Sequence, residues 1–361
     1  MLHDPPTIPE ARRQIEICNA CRYCEGFCAV FPAMTRQKSF ADGDLVQLAN
    51  LCHNCRGCYY ACQYTEPHEF ALNLPAALAE VRVESWERLA RPQAFARIFQ
   101  THGAAMAGLG VAALAGFFWA LSALGPETGA GFYAHLAHGA MVAIFLPAFV
   151  LPLALIAVSI RAYWREVGGG RVRLAHLLAA LGQAGRMDNL GGGRGRGCNF
   201  EDGDRFGNRR RILHQAMLYG FLLCFGSTLS GTVMHYAMGW EAPYPFWSLP
   251  KLLGVPGGVL MVGAALGLAI LKLRADPALG VRRVWGGEMA FIVLLGAVAL
   301  TGLALYAATG SALVGPLLAV HLATVMVLFL LMPFSKMVHG FFRFAALVIE
   351  AGKPRPEAGA E

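Results

Sequence analysis

Six long apolar stretches follow residue 100, and they limit the possible folds more than any other feature of the sequence. They cover about 102–124, 132–160, 212–239, 250–272, 289–309 and 315–334. Each reaches the ~20 residues that a helix needs to cross about 30 Å of hydrocarbon. Only 15% of all residues are charged, against about 25% in an average soluble domain. We therefore predict a mainly α protein with a six-helix transmembrane bundle over 101–345.

The charges between these stretches predict how the bundle is oriented. The segment 161–211 holds 11 arginines and five acidic residues, and 272–288 holds four basic and two acidic residues. The alternate loops carry no Lys or Arg before Lys251. By the positive-inside rule, the charged loops and both termini, including a tail over 346–361, are expected on the cytoplasmic side of the inner membrane. The net charge of +7 then reflects membrane topology, so a lipid bilayer is expected as the partner surface and nucleic acid is not.

Residues 1–100 predict a separate small cytoplasmic domain, called the head below. It has 10 basic and 11 acidic residues, and its apolar residues recur at helical spacing, as in GDLVQLANLC. The sequence begins without a secretory signal, so an oxidising compartment is not expected. Because eight of the ten cysteines lie in the head, we expect metal ligation there rather than disulfides.

The eight cysteines of the head form two copies of the motif CxxCxxCxxxC. Three cysteines at two-residue gaps can bind one [4Fe-4S] cluster, and the fourth reaches the other cluster in two-cluster ferredoxins. The sequence therefore predicts a helical, ferredoxin-like domain with two clusters. This crossing assigns one cluster to Cys18, Cys21, Cys24 and Cys62, and the other to Cys28, Cys52, Cys55 and Cys58.

Two structural zinc sites are an alternative for these cysteines, because such sites also take four thiolates. Zinc motifs usually pair two CxxC units across a longer gap, so two compact runs of four favour iron and sulfide. One departure from bacterial ferredoxins is that Ala29 and Gln63, not proline, follow the fourth cysteine of each run. A zinc-stabilised membrane adaptor that recruits an enzyme is the corresponding alternative function.

Four histidines lie near the ends of the third and sixth apolar stretches. Ionisable residues within membrane segments are costly and indicate function. The third helix runs outward and the sixth inward, so His214 and His339 share the cytoplasmic level, while His235 and His321 share the outer level. At 100° per residue, both pairs can face one seam. The pattern predicts one or two haems with two histidine ligands each, of b type because CxxCH does not occur.

Other histidines compete for these roles. His138 is an alternative outer ligand, as is His135, and His102 is a weaker inner candidate. Histidines at helix ends can also lie among lipid headgroups without binding a cofactor. The outer pair is therefore less well defined than the inner pair, and a single haem is an alternative to two.

The order of these features resembles the tricarballylate utilisation protein B family, also called CitB, over nearly the whole chain. The resemblance rests on the duplicated cysteine motif, on HYAMGWEAPYPFW from His235 and on HLATVMVLFLLMPFSKMVHGFFRFAAL from His321. It implies two [4Fe-4S] clusters, a cytochrome b type membrane region, and a partner dehydrogenase whose reduced FAD the protein reoxidises. PFSKMVHG is also similar to the haem helix of nitrate reductase gamma subunits, a similarity that reaches only His321 and His339.

These observations predict an electron-transfer subunit without substrate-carbon chemistry of its own. No Ser/His/Asp set or carboxylate pair suggests catalytic residues, and membrane quinone is the expected acceptor. The glycine-rich loop GGGRGRGCNFEDGD lacks a phosphate-binding register, and Cys198 within it is expected to be a free cysteine. A similar conduit for cobalamin synthesis, of the CobZ kind, is an alternative function. A transporter is disfavoured because no inverted repeat is evident.

Overall fold

The computed structural model describes residues 7–124, 131–192, 197–200, 203 and 205–353. This part of the chain is helical and contains no β-strand, which confirms the predicted mainly α fold. Its helices are α1 Thr7–Cys21, α2 Val30–Thr35, α3 Asp42–Leu51, α4 Gly57–Tyr60, α5 Leu74–Leu89, α6 Gln93–Leu124, α7 His138–Glu166, α8 Leu174–Arg186, α9 Arg209–Met238, α10 Leu249–Arg274, α11 Trp285–Ala307, α12 Val314–Leu331 and α13 Val338–Ala351.

Six helices of the described residues are long and apolar enough to cross a membrane. They are α6, α7, α9, α10, α11 and α12, one for each predicted apolar stretch. Each exceeds or approaches the ~20 residues that span the hydrocarbon layer. The six-helix prediction is therefore confirmed, and the chain has the build of a multi-pass membrane protein.

Small residues allow neighbouring helices of the bundle to pack closely. Helix α9 packs along α10, α10 packs on α11, and α12 lies against α6 and α11. At the α9–α10 crossing, a Cβ atom on Gly220 or on Gly257 would lie 2.9 Å from the carbonyl oxygen of the other glycine. Glycine lets two backbones approach this closely within a membrane bundle. The crossing fixes the position of α9, which carries His214 and His235.

The head has its own apolar core, and the C-terminal helix is part of it. Ile15, Met34, Leu45 and Leu78 are almost fully buried there together with Phe342 of α13. The predicted boundary between bundle and tail at residue 345 therefore falls inside α13, because the apolar face of that helix packs on the head. Residues 354–361 of the predicted tail lie outside the described residues.

Buried polar contacts also fasten the head to the bundle. The hydroxyl of Tyr163, at the end of α7, donates to Oε1 of Gln47 in α3 at 2.5 Å. The amide of Gln47 in turn donates to the carbonyl of Ala346 in α13 at 3.0 Å. Both Tyr163 and Gln47 are buried, so these bonds form without competition from water. The head is thereby joined to two other helices through one side chain.

The head lies at the end of the bundle where α9 begins and α10 ends. Arg210, at the start of α9, and Leu279, in the connection from α10 to α11, both bond to Asn54 of the head. The two charged segments predicted to share one side of the membrane thus both meet the head. The predicted outer loop around Glu127 and part of the glycine-rich loop, 193–196, 201, 202 and 204, lie outside the described residues.

Candidate cofactor sites

The first cysteine set borders a cavity near the surface of the head. The cavity has a volume of about 240 Å³, and its lining includes Cys18, Cys21, Cys24 and Cys62. Burial, and then the neighbouring Cys62, raise the pKa of Cys18 and of Cys24 to about 12. Cys21 is exposed at the rim of the cavity. The structure therefore brings together the four cysteines that the crossed pattern assigns to one cluster.

The second set lies deeper in the head. Burial raises the pKa of Cys28 well above its ordinary value, and the nearby Cys55 and Cys52 raise it further. The pKa of Cys58 is also raised, by burial and then by the nearby Cys55, Cys28 and Cys52. The four thiols therefore lie close enough to affect one another electrostatically. Cys28, from the first motif, is thus placed with three cysteines of the second motif. Cys58 also lines the first cavity, so the two sets adjoin.

The local backbone explains how two short motifs surround these volumes. Helix α3 ends at Leu51, which puts Cys52 at the start of a loop. In that loop Asn54 and Arg56 adopt left-handed conformations, with φ of 49° and 67°. The amide of Asn54 donates to Sγ of Cys52 at 3.4 Å, and the amide of Tyr64 donates to Sγ of Cys62 at 3.3 Å. Such amide–sulfur bonds stabilise thiolates, which are the form that binds iron.

The first cysteine set lines a cavity rather than converging on a single point. A structural zinc site needs four ligands within about 2.3 Å of one point. The thiols of the first set instead surround a cavity, as iron–sulfur ligands at the corners of a larger group do.

A second cavity, of about 490 Å³, lies between the head and the bundle, and both His214 and His339 line it. Their ring centroids are 5.8 Å apart, and the ring planes differ by 36°. An iron bound to two imidazoles places their ring centres roughly 6 Å apart, from two metal–nitrogen bonds of about 2 Å each. The observed pair therefore fits a haem iron with two histidine ligands.

The protonation state of His339 is also suited to binding a haem iron, because its ring is neutral. Its Nδ1 donates to the carbonyl oxygen of Lys336, which leaves Nε2 as the free nitrogen. Burial, and then the positive charge of Arg343, lower the pKa of His339 well below its ordinary value. The ring is neutral at pH 7, and a neutral imidazole is the form that binds a metal.

The outer histidines are arranged differently from the predicted pair of His235 and His321. His235 stacks on His138, with ring centroids 4.0 Å apart, and Nε2 of His138 hydrogen-bonds the Tyr236 hydroxyl at 3.0 Å. His321 instead bonds Thr301 of α11 at 3.0 Å. The difference follows from helix order, because α12 packs on α6 and α11 while α9 packs on α10. Rings stacked at 4.0 Å do not have the geometry of two ligands to one iron.

The two weaker candidates have partners elsewhere. His135 hydrogen-bonds Ser122 at 3.3 Å. His102 hydrogen-bonds Thr101 at 2.7 Å, at a point where α6 departs from helical geometry. The structure therefore places one histidine pair, His214 and His339, in an arrangement suited to haem.

Several residues around the second cavity were not predicted from the sequence. Arg82, Arg210 and Arg343 line it, as does His53. Burial, and then the charge of Arg82, lower the pKa of Arg343 to about 9, so it stays charged at pH 7. One signal was available: Arg210 and Arg343 each lie four residues, about one helical turn, from a predicted haem ligand.

Cys198 lies closer to the cysteine sets than its sequence position suggested. It is buried and forms no disulfide, and it is near enough to Cys55 to affect that thiol electrostatically. The backbone amide of Asn199 donates to the carbonyl of Cys55 at 2.8 Å. The described segment 197–200 of the glycine-rich loop therefore lies against the second cysteine set at Cys55.

Comparison with known proteins agrees with this architecture. The family model "Citrate utilization protein B" matches residues 104–360, and the model of its Fer4-like domain matches residues 11–87. Citrate utilization protein B of Escherichia coli is 42% identical over 349 residues, covering 95% of this chain and 92% of the relative. No solved structure matches the chain. The Fer4-like domain, with its clustered cysteines, indicates iron–sulfur binding. The resemblance drawn from the sequence is confirmed, and the chain belongs to the Citrate utilization protein B family.

Proposed function

We propose that this protein is a membrane-bound electron-transfer subunit. It reoxidises the reduced FAD of a partner tricarboxylate dehydrogenase and delivers the electrons to membrane quinone. The observation that carries the proposal is the succession of sites. An exposed cysteine set adjoins a buried one, and His53, next to Cys52, lines the same cavity as His214 and His339.

Two [4Fe-4S] clusters and one b-type haem would supply one-electron chemistry to this chain, as cofactors do in such proteins. The chain's own residues bind and position them. The two cysteine sets supply eight thiolates, in the crossed assignment given above. His214 and His339 supply two imidazole nitrogens, and Met217, Leu268 and Phe291 give the cavity apolar walls that exclude water.

One-electron carriers suit a flavin donor, because a reduced flavin holds two electrons that such carriers accept one at a time. The tricarboxylate substrate is inferred from the printed name of the relative, Citrate utilization protein B, together with the family resemblance. We assign the substrate chemistry to the partner, which would bind the head in the cytoplasm. The positive segments 161–211 and 272–288 support a cytoplasmic head, because the positive-inside rule favours that side of the inner membrane for basic loops.

The proposal is tested by quinone reduction in a reconstituted system. The full chain, purified anaerobically in detergent, is mixed with an FAD-dependent tricarballylate dehydrogenase, tricarballylate and a short-chain quinone. We expect quinone reduction to require both proteins and to fall at least tenfold in the Cys55→Ser variant. Cys224→Ala is the matched control, because Cys224 lies in α9, outside both motifs.

Equal rates with the Cys55→Ser variant and the unmodified chain would contradict the proposal. Zinc in place of iron would support the membrane adaptor instead. Faster quinone reduction with a corrin-synthesising flavoprotein than with the tricarballylate enzyme would assign the conduit to cobalamin synthesis.

A further inference from the structure

Three arginines from three helices hold the loop that begins at Cys52. Arg343 of α13 donates to the carbonyl of Cys52 at 2.6 Å, and Arg82 of α5 donates to the same oxygen at 2.9 Å. Arg210 of α9 donates to the carbonyls of Asn54 at 2.7 Å and His53 at 3.1 Å. We call Arg82, Arg210 and Arg343 the arginine clamp.

The clamp links this loop to the histidine pair. Arg210 lies four residues before His214 on α9, and Arg343 lies four residues after His339 on α13. Residues four apart share one face of a helix. The helical turn that presents each histidine therefore also holds the loop that carries Cys52, so the distance between the buried cysteine set and the histidine pair is fixed from both helices.

The clamp also makes the two cysteine sets electrostatically unequal. Arg343 and Cys52 interact directly through their charges, and Arg56 lies buried beside the same set, over the ring of Phe200. Among the described residues that line the first cavity there is no Lys or Arg; tyrosines such as Tyr23 stand there instead. Nearby positive charge stabilises the reduced, more negative state of an iron–sulfur site and raises its potential.

Accessibility divides the sets in the same direction. In the first set Cys24 is buried, but Cys21 is exposed and the neighbouring Tyr23 is 70% exposed. In the second set no cysteine is exposed, and Cys52 and Cys55 are buried under the clamp and the segment around Asn199. A soluble donor can therefore reach the first set at Cys21, while the loop of the second set lines the cavity of the histidine pair through His53 and Asn54.

We propose that the arginine clamp makes the buried cysteine set the electron exit of the head, and that the exposed set is the entry. The entry set is Cys18, Cys21, Cys24 and Cys62; the exit set is Cys28, Cys52, Cys55 and Cys58. This inference rests on the proposed function. Clusters held by the two cysteine sets and a haem held by His214 and His339 would each accept and pass on one electron at a time, so that oxidation of one site would balance reduction of the next. The reductant is the partner's reduced flavin, and no covalent bond to the chain forms or breaks.

The test is a redox titration of the full chain in detergent, followed by electron paramagnetic resonance. We expect Arg343→Gln to lower the equilibrium constant for reduction of one cluster about tenfold. For one electron this is a fall of about 59 mV in the midpoint potential of that cluster's signal. The shifted signal should be the one that Cys58→Ser removes or changes, not the one that Cys24→Ser changes. Haem absorbance should be retained, and haem reduction in stopped flow should slow at least tenfold.

A further variant separates the effect of the charge of Arg343 from the effect of its hydrogen bond, and a second variant serves as its control. Arg343→Lys keeps the positive charge but loses the planar fork that donates to the carbonyl, so we expect a near-normal potential with slower haem reduction. Arg186→Gln is the matched control, because Arg186 pairs with Asp188 outside the cavity; it should change neither quantity.

A shift of both cluster signals, or of neither, in Arg343→Gln would overturn the inference while leaving the electron-transfer function intact. Loss of all cluster and haem signals from the unmodified chain would instead overturn the proposed function. If the Arg343→Gln variant does not fold with its cofactors, the midpoint potentials of the two cluster signals in the unmodified chain test the inference instead. The signal sensitive to Cys58→Ser must then have the higher midpoint potential, and the reverse order would refute the inference.

Discussion

His339 is the residue on which the proposed haem site depends most directly. It supplies a neutral imidazole whose Nδ1 is already bonded to Lys336, and its ring faces His214 across the cavity. We expect His339→Ala to lower the haem content at least tenfold, because one axial ligand is lost, while the cluster signals persist since no cysteine changes. Pyridine haemochrome analysis measures the haem. His176→Ala, a histidine on α8, is the control, and unchanged haem in His339→Ala would refute the pairing.

Tyr163 is the residue through which α7 holds the head. Tyr163→Phe removes the donor to Oε1 of Gln47, and a buried acceptor left without a partner costs about 1–3 kcal/mol. We expect the free energy of unfolding in detergent to fall by that amount, as measured by denaturant titration. Thr309→Val is the control, because the Thr309 hydroxyl donates to the carbonyl of Tyr306 at 2.7 Å but is exposed in the loop after α11. Equal effects of the two changes would contradict this account.

Candidate ligand residues are visible in the sequence where a short motif carries them, as with the eight cysteines. The arginine clamp was visible only in part: Arg210 and Arg343 lie four residues from predicted haem ligands, but Arg82 follows no spacing rule that the sequence shows. His53 shows the same limit: only the packing of α9 and α13 on its loop brings it to the second cavity.

At the scale of elements, the α9–α10 crossing positions the histidine of α9. Gly220→Ala would put a methyl group 2.9 Å from backbone and side-chain atoms of α10. Overpacking of this kind costs about 1–3 kcal/mol, so we expect a lower thermal midpoint and earlier loss of haem on heating. Gly263→Ala on α10 is the control, since nothing lies within 4 Å of the added atom. A Gly220→Ala variant as stable as the control would contradict the close crossing.

The existence of the six long helices was predictable, because apolar length alone identifies them. Their neighbours were not. Periodicity places His235 and His321 at one level, but it does not say which helices touch, and the structure sets His235 against His138 of α7. Helix α13 is a second example, because its apolar face packs on the head core, where the sequence alone suggested the end of a membrane segment and a tail.

At the scale of the whole molecule, the proposed electron path runs from the cysteine set that reaches the surface at Cys21 to the histidine pair at the head end of the bundle. The path depends on contacts between parts far apart in sequence: the Cys52 loop, the start of α9 and the C-terminal helix. Under the proposed function, these contacts would hold the cysteine-rich head and the histidine pair of the bundle in a fixed relation for electron transfer.

Quantitative analysis of iron, acid-labile sulfide, zinc and protohaem in one anaerobic preparation of the full chain tests the central claim most directly. The account predicts about nine iron per chain, eight in the two clusters and one in the haem, and about eight sulfide, with one b-type haem that dithionite reduces. A chain that contains zinc, with neither sulfide nor protohaem, would contradict it.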